Sequence, residues 1–292
     1  MSNTNTLYKL IQLYSIFKMI RKIITINIII FLFVSNIYTI EEITNASEEY
    51  IEQTYIKALE KYKMQKYEAS LDDIRHVIKS NMQNYKLRYL AAHNHWRLGN
   101  YESAILHFNE SILINKNEAG PYIDLSLLYL QNKNYKNSEK LALACQNNLE
   151  TNNIEIPSKL FNILSRLNLY KGKYQEALDY AQEAKAAFNR NKAGIKDKLE
   201  AITLEARALL ALKNFEKAEL AAIWAIKLKE DNPYAYGLLG YIYETWAKET
   251  SSDEEKKDYL NKAKENYEIC INLPNVSENL FSTIKNNLTR IN

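Results

Sequence analysis

From residue 50 onward, apolar positions recur at intervals of three and four, the spacing that lines one face of an α-helix. Short polar corners break these runs at regular places. The stretch LGNYESAILHF (98–108) shows the form: a Gly-Asn corner stands between two apolar runs, and an aromatic follows at once. It returns as KNYKNSEKLAL (133–143), KGKYQEALDYA (171–181) and LKNFEKAELAA (212–222). Aligned on the aromatics Tyr67, Tyr101, Tyr135, Tyr174 and Phe215, the corners are 34, 34, 39 and 41 residues apart. The two longer intervals accommodate insertions, NIEIP (153–157) and KAGIKDK (192–198). A repeat of this length predicts stacked supersecondary units.

Each unit is expected to be two helices around its corner. In the second, Ala91, Ala92 and His95 share a face before the corner, and Ala104, Phe108 and Ser111 share one after it. The third carries Tyr122, Leu125, Ser126 and Tyr129, then Ser138, Ala142 and Cys145. Phe161, Leu164 and Ser165 precede Ala177, Ala181 and Ala184 in the fourth; Ile202, Ala206 and Leu209 precede Ala218, Ala222 and Ala225 in the fifth. Small residues recur because antiparallel helices approach closely only where side chains are small.

The pattern resembles the tetratricopeptide repeat, over roughly residues 50–274, and Tyr236, Leu239, Gly240 and Tyr243 of the sixth unit match that family's first helix best. The resemblance implies an all-α, right-handed superhelical solenoid of about six helix pairs with a C-terminal capping helix. The units are set at about 51–84, 85–118, 119–152, 158–191, 199–232 and 233–274, within a repeat region of 43–292. The first is degenerate, with Thr54, Lys57 and Lys61 in usually apolar places. The sixth holds an extra segment, AKETSSDEEKKDY (247–259), in which Ser252 or Asp253 is expected to N-cap a lengthened helix with acids in its first turn. Leu280, Ile284 and Leu288 predict the cap at 277–291, which covers the apolar face that a last repeat would otherwise expose.

Composition agrees with helices on short connections: 6 Gly and 4 Pro against 22 Tyr. The net charge of +3 is misleading. Residues 1–40 hold Lys9, Lys18, Arg21 and Lys22 and no acid, which leaves 34 basic against 35 acidic residues in the body. That balance gives no footprint for nucleic acid. After those cations comes IITINIIIFLFVSNIYTI (23–40), mostly apolar and without a charge. It reads as a secretory signal or a retained membrane anchor, with a buried first helix as the alternative. Met19 would begin a compact signal of its own. The expected location is therefore the periplasm or cell envelope, with membrane attachment through residues 23–40 in the anchor reading.

Little in the chain suggests chemistry. His93 and His95 point about 200° apart on a helix, at roughly 100° per residue, and do not form a metal pair. Cys145 and Cys270 fall at matching small-residue places and read as buried apolar residues rather than a bridge. Phosphate loops, HExxH, GxSxG and EF-hand loops are missing from the sequence. No catalytic residue, metal ligand or cofactor is assigned, and no enzymatic activity is expected. Asn45, Asn109, Asn275 and Asn287 begin N-x-S/T sequences that matter only in a glycosylating host.

The resemblance also implies that the first helices line a concave groove, through the fifth, ninth, twelfth and thirteenth positions of each unit. The candidate peptide-binding residues are Tyr55, Tyr62, Lys63, Tyr89, His93, Trp96, Arg97, Asn162, Arg166, Tyr170, Arg207 and Tyr241. Rings beside cations suit peptides, since rings give contact area and Arg takes carboxylates. Asn162 and Arg166 resemble part of a known carboxylate clamp, but Ile123 and Leu127 stand where its other members would be. The expected function is a non-catalytic scaffold that binds a peptide or extended segment of another protein. A regulatory or catalytic role in cell-wall metabolism and a self-assembling structural module are the alternatives.

Overall fold

The computed structural model describes residues 26, 30, 48–80, 83–191 and 194–291. The expected signal or anchor lies outside the described residues, apart from Ile26 and Ile30. Among the described residues all regular structure is α-helical, and no helix is long and apolar enough to cross a membrane. We number the helices α1 (48–63), α2 (Tyr67–Ser80), α3 (Tyr85–Arg97), α4 (Tyr101–Ile114), α5 (Ala119–Gln131), α6 (Tyr135–Thr151), α7 (Ser158–Tyr170), α8 (Tyr174–Asn191), α9 (Ile195–Ala211), α10 (Phe215–Leu228), α11 (Pro233–Glu249), α12 (Asp253–Asn272) and α13 (Glu278–Ile291).

The second helix of each of the first five units begins on its corner aromatic. Two residues before every one of those aromatics the backbone is left-handed: φ is 60° at Gln65, 78° at Gly99, 58° at Lys133, 72° at Gly172 and 59° at Lys213. Two backbone bonds close the preceding helix there, as when Lys133 N donates to Leu130 O (3.1 Å) and Asn134 N to Tyr129 O (2.8 Å). This is the cap that ends a helix on a left-handed residue. Only Gly99 and Gly172 adopt that conformation without a steric penalty. Lys133→Gly is therefore expected to stabilise the fold by about 1 kcal/mol, the left-handed penalty less glycine's larger unfolded-state entropy. Chemical denaturation checks it, and a loss of stability would mean that Lys133 makes contacts worth more than the strain.

Contacts divide the chain into two compact blocks, one ending at Ala104 and the other beginning at Ile105. In the first block, Ala58, Ile74, Val77, Ile78, Leu87, Leu90 and Ala91 form the core of α1, α2 and α3. Ser70 Oγ donates to Ala58 O (2.8 Å) and accepts from Asn94 Nδ2 (2.9 Å), tying the three helices through one hydroxyl. The lysines that make the first unit look degenerate have a partner. Lys57 and Lys61 both reach Asp73 of α2, at 3.3 and 2.6 Å.

In the second block the same lock recurs twelve residues apart. Ser138 Oγ donates to Ser126 O (2.8 Å), and Ser165 Oγ to Ala177 O (2.7 Å). At the corresponding places of the fifth unit, which hold no hydroxyl, Ala206 and Ala218 are both fully buried. First helices approach one another in series: α5 meets α7, α7 meets α9, α9 meets α11 and α11 meets α13. The second helices lack this approach among the described residues. Spacing that is tighter on one side than the other curves the stack, with first helices on the inner face. At the insertion, Ser252 Oγ accepts from Glu255 N (3.3 Å), and Asp253, Glu254 and Glu255 fill the first turn of α12. Both cysteines are free and buried. Burial pushes their thiols up, Cys145 to about 12 and Cys270 to about 11, so neither is a reactive thiolate.

Candidate functional site

The residues expected in the groove fall into the two blocks and are described within each. In the first block, α1 and α3 bring rings together. His93 lies 4.6 Å from Tyr89, 5.9 Å from Tyr62 and 6.1 Å from Trp96, ring centre to ring centre. Tyr62 also faces Tyr67 (5.5 Å), and its hydroxyl accepts from Arg97 Nε at 3.4 Å. Tyr55 is half-buried beneath Lys86, whose Nζ stands 5.9 Å from its ring centre, and Lys63 is exposed. The spacing of first-helix positions therefore does gather an aromatic and cationic patch here.

In the second block the four residues on first helices α7 and α9 have unlike roles. Asn162 is buried, and its Nδ2 donates to Asp197 O at 3.0 Å. Arg166 is hydrogen-bonded to Glu200 of α9. Both side chains thus join α7 to α9, and the part-clamp they resemble is engaged within the chain. Tyr170 is exposed and stacks on Tyr135 at 4.6 Å.

Arg207 is different. In the preceding unit Arg166 meets Glu200, the second residue of the unit that follows; the corresponding residue after Arg207 is Tyr234, which has no charge to offer. Among the described residues Arg207 has no ion pair, though its side chain is exposed on the inner face. The walls of the cleft remove water around its guanidinium, and Arg166 adds like charge while Tyr170 opposes it, so its pKa is lowered. It remains a cation, and an incoming carboxylate would relieve the strain.

Two cavities meet at this arginine. One, about 390 Å³, includes Leu169, Tyr174, Thr245 and Glu249 in its lining. The other, about 700 Å³, is bounded by Thr203, Tyr234, Lys248 and the cap helix through Leu280 and Arg290. Arg207, Leu238 and Tyr241 line both. The larger cavity is closed by α13 because Glu244, fully buried on α11, accepts two bonds from Arg290 Nη2 (2.6 and 2.8 Å) and one each from Arg290 Nε (2.9 Å), Lys248 Nζ (2.6 Å) and Tyr267 OH (2.9 Å). Sequence reasoning missed Lys248 and Arg290. Nothing in their own register marks them; the signal was Glu244, an acid at an inner-face position with basic residues on two separate elements.

Structural comparison identifies the fold. A chain of the APC/C Cut9–Hcn1 hetero-tetramer superposes with a TM-score of 0.65 at 13% identity, over 82% of this chain and 42% of that one. YrrB, described as a TPR protein with an unusual peptide-binding site, gives 0.52 at 14% identity, over 73% and 97%. PilW, a type IV pilus biogenesis factor, gives 0.61 at 15% identity, over 80% and 98%. The fold is that of the tetratricopeptide repeat. This chain spans less than half the length of the Cut9–Hcn1 chain it matches. No protein-family model and no curated protein matches the sequence. As tetratricopeptide units, the helix pairs present first helices on the inner face; both cavities at Arg207 lie between those of the fifth and sixth units, and the larger one reaches the cap.

Proposed function

We propose that the protein is a non-catalytic interaction scaffold of the cell envelope, and that its inner face holds an extended segment of another protein. The observation that carries this reading is Arg207: a cation with no ion pair among the described residues, at the junction of two cavities and beside Tyr241 and Leu238. Rings and an unpaired guanidinium in a partly dry cleft favour a peptide that offers a carboxylate between apolar side chains. YrrB, a protein of the same fold, is described as binding peptide, and PilW as a pilus biogenesis factor. The export half of the reading rests on the apolar run at 23–40 behind Lys18, Arg21 and Lys22.

The test places a photo-crosslinking residue at position 245, in the lining of the same cavity, in cells and identifies what is joined to it. The expected result is one dominant partner, and Arg207→Glu with Tyr241→Ala lowers its capture about tenfold or more while helicity is unchanged. Capture that survives the double change would move the site off this face. N-terminal sequencing of the protein from the membrane and periplasmic fractions tests the location. A mature chain starting near residue 40, or an intact one in the membrane, is expected; an intact chain in the cytosol would end the envelope reading.

A further inference from the structure

The unequal spacing that curves the inner face opens the outer one. Between second helices α8 and α10 lies a groove of about 720 Å³ floored by α9. Leu178, Leu209 and Ala221 form its buried floor, and Leu212, Leu220 and Trp224 rise beside it. Leu220 is 65% exposed and Trp224 49%. The matching places on neighbouring second helices hold Lys140 and Ala144 in α6, and Asp179 and Glu183 in α8, as a solvated face should. Of these three units the fifth alone places two large apolar side chains there, beside an apolar floor. Nothing in the helix-pair fold demands this, because the small residues that close the fifth unit, Ala218, Ala222 and Ala225, lie on the opposite, fully buried side of α10. A contiguous exposed apolar patch with polar edges marks an interaction site.

Charge selects the partner. Lys185 Nζ stands 5.1 Å from the centre of the Trp224 ring and Lys198 Nζ 5.8 Å, and Lys217 lines the groove. The acid that lines it, Glu205, is largely shielded and already held by Lys185 at 2.6 Å. The groove is therefore apolar at its floor and cationic around its tryptophan. Its shape, a trough between two helices, suits a third helix.

We propose that this outer groove docks an acidic amphipathic helix of a partner protein, with aliphatic side chains on the Leu178–Leu209–Ala221 floor, Trp224 as the anchor, and carboxylates facing Lys198 and Lys217. This surface is separate from the inner face: α9 turns Arg207 into one and Leu209 into the other. The scaffold would then hold two segments at once, one on each side of the same helix.

Fluorescence polarisation with a labelled, end-blocked amphipathic peptide tests it. The peptide carries leucines at helical spacing and glutamates elsewhere, and a second version has lysine for each glutamate. The full chain is expected to bind the glutamate peptide at least about tenfold more tightly than the lysine one, and Trp224→Ala or Leu220→Glu each to weaken it by about tenfold or more. Both positions are exposed, so helicity stays unchanged. The Arg207→Glu, Tyr241→Ala protein should bind this peptide as the parent does, which separates the result from the inner-face reading. Equal affinity for the two peptides, indifference to Trp224→Ala, or loss of binding in the inner-face variant overturns the proposal. So does Trp224-dependent binding to anionic lipid vesicles without binding to the peptide, which would make the groove a lipid contact.

Discussion

Removing both cations that hold Glu244, by Lys248→Ala with Arg290→Ala, is expected to cost about 3–5 kcal/mol, because it strands a buried carboxylate. Glu244 is fully buried, whereas Lys248 and Arg290 are each more than half exposed. The two sides of the network are therefore not equivalent. Deleting Glu244 leaves cations that water can reach; deleting the cations leaves an anion that water cannot. Adding Glu244→Gln to the double variant should recover part of the loss, since the buried charge goes with it. Urea unfolding of the series measures this, and hydrogen exchange in α13 shows whether the cap detaches first. A double variant within about 1 kcal/mol of the parent would mean that the cap is held by Ile284, Leu280 and Leu288 alone.

The pH dependence has a sign that follows. Burial alone would raise the Glu244 pKa, but hydrogen bonds from Lys248, Tyr267 and Arg290 outweigh it and hold the group below its ordinary value. A carboxylate depressed in the folded state contributes stability that is fully present above the unfolded pKa, about 4.3. That contribution is lost as pH falls through the lower folded value. The parent cap should therefore be released only in strong acid. In the double variant burial would dominate, the folded pKa would rise, and mild acid should stabilise rather than loosen the cap.

The repeat was legible because it rests on local rules. Corner aromatics start five helices, alanines at the closing positions are fully buried, and Ser252 caps the helix after the insertion. The corner conformation was less so. Glycine marks it at 99 and 172, but Gln65, Lys133 and Lys213 adopt the same φ, because the bonds that close each helix impose it whatever the side chain. Site residues were legible only as far as register decides them. The fifth and ninth positions of a first helix face both the groove and the next first helix, and which prevails depends on the residue opposite. Asn162 and Arg166 met Asp197 and Glu200, whereas the place that corresponds for Arg207 holds Tyr234. Glu244, at a twelfth position, was covered by α13, whose docking no spacing in the sixth unit announces. The outer groove was missed for a related reason. Leu220 and Trp224 look like core residues in a helical pattern until α8 and α10 are seen to stand apart.

Gly240→Ala is expected to destabilise the protein by about 3 kcal/mol, at the upper end of overpacking costs. Helix propensity alone argues for the opposite sign, since alanine in a helix interior is worth about 1 kcal/mol over glycine. The deciding distance is across the sixth unit. A Cβ at Gly240 would stand 2.6 and 2.7 Å from two ring carbons of Tyr267, closer than real Cβ atoms come. The ring cannot step aside, because Tyr267 is fully buried. Its hydroxyl is fixed too, donating to Glu244 Oε2 at 2.9 Å and accepting from Asn287 Nδ2 at 3.2 Å. Opening α11 from α12 to admit a methyl group would therefore also strain the bonds that dock α13. Gly237 supplies the control on the same helix. Its added Cβ would meet Ile284 Cδ1 at 3.2 Å and Cys270 Sγ at 3.4 Å, contacts that a side-chain tip can relax. Gly237→Ala should then cost clearly less than Gly240→Ala in the same denaturation experiment. Equal effects, or a gain at 240, would mean that α11 and α12 sit further apart than the Tyr267 contact requires.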